Sequence, residues 1–161
     1  MAQPPAVSWQ IEEMSDSLQI VCPHCDTANR LPLDRDARAA HCGRCKKDLF
    51  TGEPTAMTAS RFRRHLKLSA IPLVADFWAA WCGPCLAMAP VFKRAAAELE
   101  PKARFIKIDV DAEPQLAAEY GVRSIPSLFL FEHGEMAAQH AGTADFGFLK
   151  HWVEKAAAKP N

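Results

Sequence analysis

The sequence predicts an α/β domain, a central mixed sheet flanked by helices, with a small four-cysteine ribbon in front of it. Two observations support this fold class. From residue 59 onward, apolar runs typical of strands alternate with segments of helical periodicity. Residues 18–50 instead hold four cysteines and too few large apolar side chains for a core, so this module needs a metal or disulfides to fold.

Charge and hydropathy exclude several classes of protein. The formal net charge of the 161 residues is zero, so no polyanion-binding surface is indicated and no nucleic-acid partner is expected. No apolar run approaches the roughly 18 residues of a membrane span. The first twenty residues lack the basic start and apolar core of a signal peptide. We therefore expect a cytoplasmic protein without a membrane partner, in which paired cysteines indicate metal or redox sites.

The composition changes three times along the chain. Residues 1–17 are polar and aperiodic and are predicted to be a flexible tail, in which Met14 is an alternative natural start. Residues 18–50 are the predicted ribbon. Residues 51–58, TGEPTAMT, have the composition of a linker. The α/β domain is predicted to span residues 59–161.

Each element of this domain has its own signal. The helix SRFRRHLKL starts at a candidate cap, Ser60, and places Phe62 and Leu66 on one face. The buried strand PLVADFW leads directly into the helix PCLAMAPVFKRAAAELE. The strand ARFIKIDV precedes the helix EPQLAAEY, which ends at Gly121. The segment SLFLFEHGEMAAQHAG is a hairpin that turns at its His-Gly pair, and DFGFLKHWVEKAAAK is a closing amphipathic helix.

The ribbon cysteines have the spacing C-x2-C-x16-C-x2-C, which is typical of a structural zinc site. Two tight turns can each present two thiolates to a tetrahedral ion, and the predicted ligands are Cys22, Cys25, Cys42 and Cys45. Zinc would supply the folding free energy that a missing core cannot. Two local disulfides are the alternative. Four thiolates complete the shell, so the neighbouring His24 and His41 are predicted to be surface residues.

The third pair, Cys82 and Cys85, lies between a strand and a helix, with no second pair to complete a tetrahedron. At a helix N-terminus the unpaired N–H groups and the macrodipole favour a thiolate, the species that attacks disulfides. This context predicts a redox dithiol. Cys82 would be the exposed nucleophile and Cys85 the better shielded resolving thiol, with Pro84 fitting the first helical turn.

These motifs together resemble a known family. DFWAAWCGPC followed by MAP, and then KIDVD, GVRSIPS and HAG, strongly resemble thioredoxin over residues 59 to about 158. With the four-cysteine ribbon in front, the chain resembles the zinc-containing bacterial thioredoxin 2 type. The resemblance implies a thioredoxin fold preceded by a zinc ribbon.

The resemblance also implies roles for single residues. Asp76 corresponds to the buried carboxylate that assists deprotonation of the resolving thiol, and Lys107 to the lysine beside it; a structural pairing of the two is the alternative. Pro126 corresponds to a cis-proline that presents the backbone of Ile125 to a substrate. The positions that shape or line the family's substrate groove are Trp78, Trp81, Gly83, Pro84, Pro90, Ile125, Pro126 and Gly142. For Trp78, a plain core role is equally open.

The function that follows is disulfide reduction in proteins. The resemblance implies electrons from NADPH through a flavin-dependent thioredoxin reductase, protein disulfides as substrates, and no bound organic cofactor. A monomer is expected. A zinc-ribbon binding module with the α/β domain as scaffold or redox-controlled chaperone is the alternative, and a disulfide-forming oxidant would need an exported chain. The ribbon zinc is expected to be structural or redox-responsive, with residues 59–161 staying folded when it is lost.

Overall fold

The computed structural model describes residues 16–157. The predicted tail, with Met14, therefore lies outside the described residues apart from its last two positions, as do residues 158–161. Among residues 16–157, no helix is both long and apolar enough to cross a membrane.

The ribbon begins with an antiparallel hairpin. Strand β1 (Ser17–Val21) pairs with β2 (Ala28–Pro32), and a short 3-10 turn follows at Ala37–Ala39. Its small core is shared with the following domain, because the buried apolar side chains that pack together here are Ile20, Leu31, Leu49, Phe50 and Ile71. The ribbon is thus packed onto the domain rather than held only by a tether.

Five strands form the predicted mixed sheet, in the order β3-β5-β4-β6-β7. Their bounds are Thr55–Ala56 (β3), Leu73–Trp78 (β4), Arg104–Asp109 (β5), Ser127–Glu132 (β6) and Glu135–Ala141 (β7). Strands β3, β5 and β4 are parallel, whereas β6 and β7 are antiparallel. Strand β3 lies within residues 51–58, so the predicted linker also contributes to the sheet. Two residues are too few for a periodic signal, and their pairing with β5 is a long-range contact.

Four helices cover the two faces of the sheet, as predicted. They are α1 (Ala59–Leu68), α2 (Gly83–Leu99), α3 (Pro114–Glu119) and α4 (Phe146–Ala157). Helices α2 and α4 pack on the face that carries Val74, and α1 and α3 pack on the face that carries Phe77. The α1 cap is Thr58 rather than the predicted Ser60, because its hydroxyl accepts the Arg61 N–H at 3.4 Å.

The central strand β4 positions the site. It lies between β5 and β6 and ends at Trp78, five residues before α2 begins at Gly83. Cys82 is therefore placed outside the carboxyl end of a central strand, where open α/β sheets form their sites. The segment that leads into β6 ends at Pro126, beside the same edge.

Candidate active site and metal centre

Cys82 and Cys85 form a disulfide at the start of α2. Cys82 is the N-cap and Cys85 is the third helical residue. The exposed fractions of Cys82 and Cys85 are 4% and 2%, so the prediction that Cys82 is exposed was wrong for this oxidised form. The Cys82 sulfur turns back over the helix, where it accepts the Cys85 N–H at 3.2 Å, and it lies 3.7 Å from the Ile125 carbonyl oxygen.

The surroundings of the Cys82 sulfur favour negative charge. It faces the unpaired N–H groups of α2, and the first turn of this helix has no acidic residue. The N–H of Cys85 points at the sulfur directly. A hydrogen bond from an N–H group stabilises an anionic sulfur. Reduction of the disulfide would therefore leave a stabilised thiolate at Cys82.

A loop containing Pro126 faces this disulfide. The Ile125–Pro126 peptide bond is cis, in agreement with the resemblance. The Gly142 N–H donates to the Pro126 carbonyl at 2.8 Å, which ties the end of β7 to the loop. Gly142 has φ +101°, a conformation that favours glycine. The predicted groove residues Ile125, Pro126 and Gly142 are thus brought together beside Cys82.

The rim of the site is exposed and partly apolar. Trp81 is 70% exposed, and its indole N–H donates to an Asp111 carboxylate oxygen at 2.9 Å. Gly83 and Pro84 are exposed on the first turn of α2. Sequence reasoning missed two rim residues, Asp111 and the exposed Leu86. The KIDVD run offered a signal for Asp111, but no local pattern shows which partner it bonds.

Asp76 is a buried carboxylate without a direct partner. It is 1% exposed, and neither carboxylate oxygen has a hydrogen-bond partner among residues 16–157. Burial raises the pKa of Asp76 from 3.8 to about 7, although the charge of Lys107 acts to lower it. Asp76 and Lys107 are aligned across β4 and β5, yet the Lys107 ammonium lies 4.2 Å from the centre of the Trp78 ring. The described residues therefore contain no structural ion pair between Asp76 and Lys107.

The four ribbon cysteines converge as predicted. Their sulfur atoms all lie within 4.8 Å of one another, with 3.6 Å between Cys22 and Cys45 and 3.6 Å between Cys25 and Cys42. A tetrahedral ion with sulfur ligands at 2.3 Å would place the sulfurs about 3.8 Å apart. The donor set and these distances fit zinc. All four cysteines are free, so the alternative of two local disulfides is not observed.

Cys22 and Cys42 differ in how their surroundings treat a thiolate. Burial raises the pKa of the Cys22 thiol to about 12. Burial also opposes ionisation of Cys42, but N–H donors, including the backbone of Arg44 and the amide of Asn29, lower its pKa to about 6. A bound cation would favour the thiolate form at all four cysteines. His24 and His41 are exposed, as predicted.

A partly buried cluster of Asp26, Arg61 and His65 connects the first cysteine turn to helix α1. Asp26 follows Cys25, and its carboxylate accepts hydrogen bonds from Arg61 at 2.9 Å and from His65 at 2.8 Å. Arg61 also donates to the Pro23 carbonyl at 2.7 Å. His65 is 1% exposed. Sequence reasoning missed this cluster, because Asp26 is 35 residues from Arg61 and 39 residues from His65 along the chain.

Removing the Asp26 charge is expected to loosen the ribbon. Asp26→Asn leaves Arg61 and His65 with a weaker acceptor and should lower the free energy of unfolding by about 1–3 kcal/mol. Asparagine tolerates the φ of +62° at this position, so the substitution adds no backbone strain. Chemical unfolding at pH 7 measures the effect. Asp48→Asn is the matched control, since Asp48 is exposed and bonds the exposed His41; equal stability of the two variants would contradict this role of the cluster.

The fold and this site define a class of protein: a thiol–disulfide oxidoreductase with its dithiol at a helix N-terminus and a separate four-cysteine metal centre. Comparisons with known proteins agree. The thioredoxin family model matches residues 53–155, and the model described as "Thioredoxin 2, N-terminal" matches residues 21–47. The chain belongs to the thioredoxin family.

Individual relatives show how far the similarity extends. Thioredoxin C-3 of Corynebacterium nephridii is 37% identical over 136 residues, which cover 84% of this chain and 93% of that protein. Thioredoxin of Rickettsia felis is 36% identical over 99 residues, 62% of this chain and 94% of its own. Among solved structures, a mutant thioredoxin from Halobacterium salinarum matches with a TM-score of 0.63 at 33% identity, covering 70% of this chain and 97% of that one.

Proposed function

We propose that the chain reduces disulfides in other proteins, with Cys82 as the attacking thiol. The observation that carries this proposal is the position of the Cys82 sulfur, at the N-terminus of α2 and 3.7 Å from the Ile125 carbonyl of the cis-proline loop. An extended substrate segment on this loop would bring its own sulfur against Cys82. Trp81, Gly83, Pro84 and Gly142 would line the groove around it.

In the first step, the Cys82 thiolate attacks one sulfur of a substrate disulfide. The substrate's S–S bond breaks, a mixed disulfide forms with Cys82, and the other substrate sulfur leaves as a thiolate that takes up a proton. The Cys85 N–H and the helix N-terminus stabilise the attacking thiolate before this step.

In the second step, Cys85 resolves the mixed disulfide. Val74 packs against α2, so Asp76, two residues further along β4, faces the same side of the sheet as this helix. We assign Asp76 as the base that takes the Cys85 proton. The positive charge of Lys107 opposes the rise in the Asp76 pKa that burial causes. The Cys85 thiolate attacks the Cys82 sulfur, the Cys82–Cys85 disulfide forms, and the second substrate sulfur leaves as a thiolate that takes up a proton. Two electrons have then passed to the substrate.

The oxidised chain must be reduced again for a second turnover. We infer that NADPH supplies these electrons through a flavin-dependent thioredoxin reductase, as the family membership suggests. The chain itself would need no bound organic cofactor. We place it in the cytoplasm as a monomer whose partners are the reductase and disulfide-containing proteins.

Insulin reduction coupled to NADPH oxidation by thioredoxin reductase tests this function. The expected result is catalytic NADPH consumption that depends on both the reductase and this chain. The same assay without reductase, with dithiothreitol as electron source, separates a failure of the reductase pairing from a failure of the chemistry. Inactivity in both forms of the assay would overturn the proposal and favour a scaffold or chaperone role.

The ribbon is proposed to bind one zinc ion, structural in the reduced protein and released under strong oxidation, since thiolates remain oxidisable. Loss of the zinc should unfold the ribbon. Residues 59–161 should stay folded, because the two hydrophobic clusters that cover the sheet contain only residues from Met57 onward.

Metal analysis before and after peroxide should give one zinc and then less than one per chain. Thermal unfolding with and without chelator should show a surviving main transition, with reduction of a small disulfide retained.

Two outcomes would contradict this role for zinc. One is a purified protein with no zinc and two disulfides in the ribbon. The other is loss of the main unfolding transition on chelation, which would show that the domain depends on the metal. The Cys42→Ser variant is a matched control, because it removes one ligand without adding a chelator to the assay.

A further inference from the structure

A solvent-open groove lies beside Trp78 and Lys107. Its volume is about 500 Å³, and its lining includes Trp78, Lys107, Arg61, Asp109 and Glu113. Trp78 and Lys107 are both half-buried, so the groove connects their side chains to solvent. The Lys107 ammonium packs on the Trp78 ring, although the unpaired Asp76 carboxylate lies on the adjacent strand.

The strand register places Lys107 next to Asp76. Asp76 and Lys107 are aligned partners on adjacent parallel strands, and Trp78 is two residues beyond Asp76 on the same face. A contact ion pair would be the ordinary outcome for a carboxylate and an ammonium so placed. Instead Asp76 has no hydrogen-bond partner among the described residues, and the ammonium lies 4.2 Å from the Trp78 ring centre. Trp is the ring that attracts cations most strongly.

We propose that Trp78 is a positioning residue for disulfide reduction: its ring holds the Lys107 ammonium away from Asp76, so that the carboxylate stays free to accept a proton. This inference rests on the proposed role of Asp76. It gives Trp78 a role beyond core packing.

The distance between the Lys107 ammonium and the Asp76 carboxylate affects the pKa of Asp76. An opposite charge within about 4–6 Å lowers the pKa of a carboxyl by 1–3 units, and a carboxylate with a low pKa is a weak base near neutral pH. With the ammonium held on Trp78, Lys107 still acts on Asp76 through space, but burial dominates. Releasing the ammonium should therefore pull the pKa of Asp76 down.

Lys107 is the charged group available to act on Asp76 in this way. The other charged groups that line the groove have partners of their own, and Lys107 is the charge that shifts the Asp76 pKa: Arg61 bonds Asp26, Asp109 accepts the Asp111 N–H at 2.8 Å, and Glu113 accepts the Ala59 N–H at 2.7 Å. The β6 neighbour of Asp76 is Leu128, which has no charge. In the oxidised protein the Cys82–Cys85 disulfide above the strand does not titrate.

The test is the titration of Asp76 in the oxidised, zinc-loaded full chain, followed by the carbon-13 shift of its carboxyl group. Trp78→Leu removes the ring and should lower the Asp76 pKa by about one unit. Trp78→Phe keeps an aromatic face and is the matched control, expected to shift the pKa by less than half as much. Trp78→Met takes the place of the leucine variant if near-ultraviolet circular dichroism shows that the latter does not fold.

A double variant distinguishes the effect of the Lys107 charge from the effect of water that enters when the Trp78 ring is removed. In Lys107→Met protein the ammonium is absent, so adding Trp78→Leu should leave the Asp76 pKa unchanged. A downward shift that persists in this background would overturn the proposal, since water rather than Lys107 would then be the cause. An unchanged pKa in Trp78→Leu alone would overturn it as well. The titration requires no turnover, so its outcome is independent of the insulin assay that tests the proposed function.

Discussion

Replacing Cys82 with serine is expected to abolish disulfide reduction, whereas replacing Cys85 with serine should leave a nucleophile that traps substrates. The Cys82 sulfur has the helix N-terminus and the Cys85 N–H to stabilise its thiolate, and it lies at the cis-proline loop. Without Cys85, the mixed disulfide formed at Cys82 has no intramolecular thiol to resolve it. Insulin turnover should fall to background in both variants.

Trapping distinguishes the two cysteines. Incubation of Cys85→Ser with an oxidised protein substrate should give a covalent adduct, seen as a mass increase that dithiothreitol reverses. Cys82→Ser is the matched control and should give none, because Cys85 lies within the first turn of α2, whereas Cys82 is the N-cap beside the cis-proline loop. Adducts of Cys82→Ser without adducts of Cys85→Ser would reverse the assignment of nucleophile and resolving thiol.

Asp76→Asn is expected to slow turnover and to stabilise the protein at the same time. The amide keeps the volume of the carboxyl but cannot accept the Cys85 proton, so turnover at pH 7 should fall by about a hundredfold, the low end of the contribution of a general base. The pH–rate profile should lose the inflection near pH 7 that the raised pKa of Asp76 gives the wild type. A profile that overlays that of the wild type would contradict the assigned role.

The sign of the stability change follows from linkage. The pKa of Asp76 is raised from 3.8 to about 7 in the fold, so the folded chain binds the proton more tightly than the unfolded chain. The protonated carboxyl is tolerated at low pH, and the folded state loses stability as pH rises from about 4 through 7. Asp76→Asn removes this loss and should raise the free energy of unfolding by about 2–4 kcal/mol at pH 8.

The comparison should be made at two pH values. At pH 4 the wild type and Asp76→Asn should unfold at similar denaturant concentrations, because the wild-type carboxyl is then protonated in the fold. At pH 8 the variant should be the more stable of the two. Equal stabilities at pH 8 would show that Asp76 is not held with a raised pKa.

The sequence by itself determined the features that depend on local spacing. Two Cys-x-x-Cys turns separated by sixteen residues were enough to predict a four-sulfur site, because each turn is a local structure and only one loop has to close. A Cys-x-x-Cys pair between a strand and a helix was enough to predict a redox dithiol at a helix N-terminus. The periodicities of two and 3.6 predicted the helices and strands of the mixed sheet, apart from the two-residue β3.

Only the tertiary structure decided the features that join distant segments. Cys82 is buried because Ile125, forty-three residues away, covers its sulfur. The Lys107 ammonium packs on Trp78 rather than on Asp76, a choice between two partners that strand periodicity cannot rank. Asp26 holds the ribbon to α1 through Arg61 and His65. Each of these depends on the relative placement of packed elements, and that placement follows from the whole core rather than from any single segment.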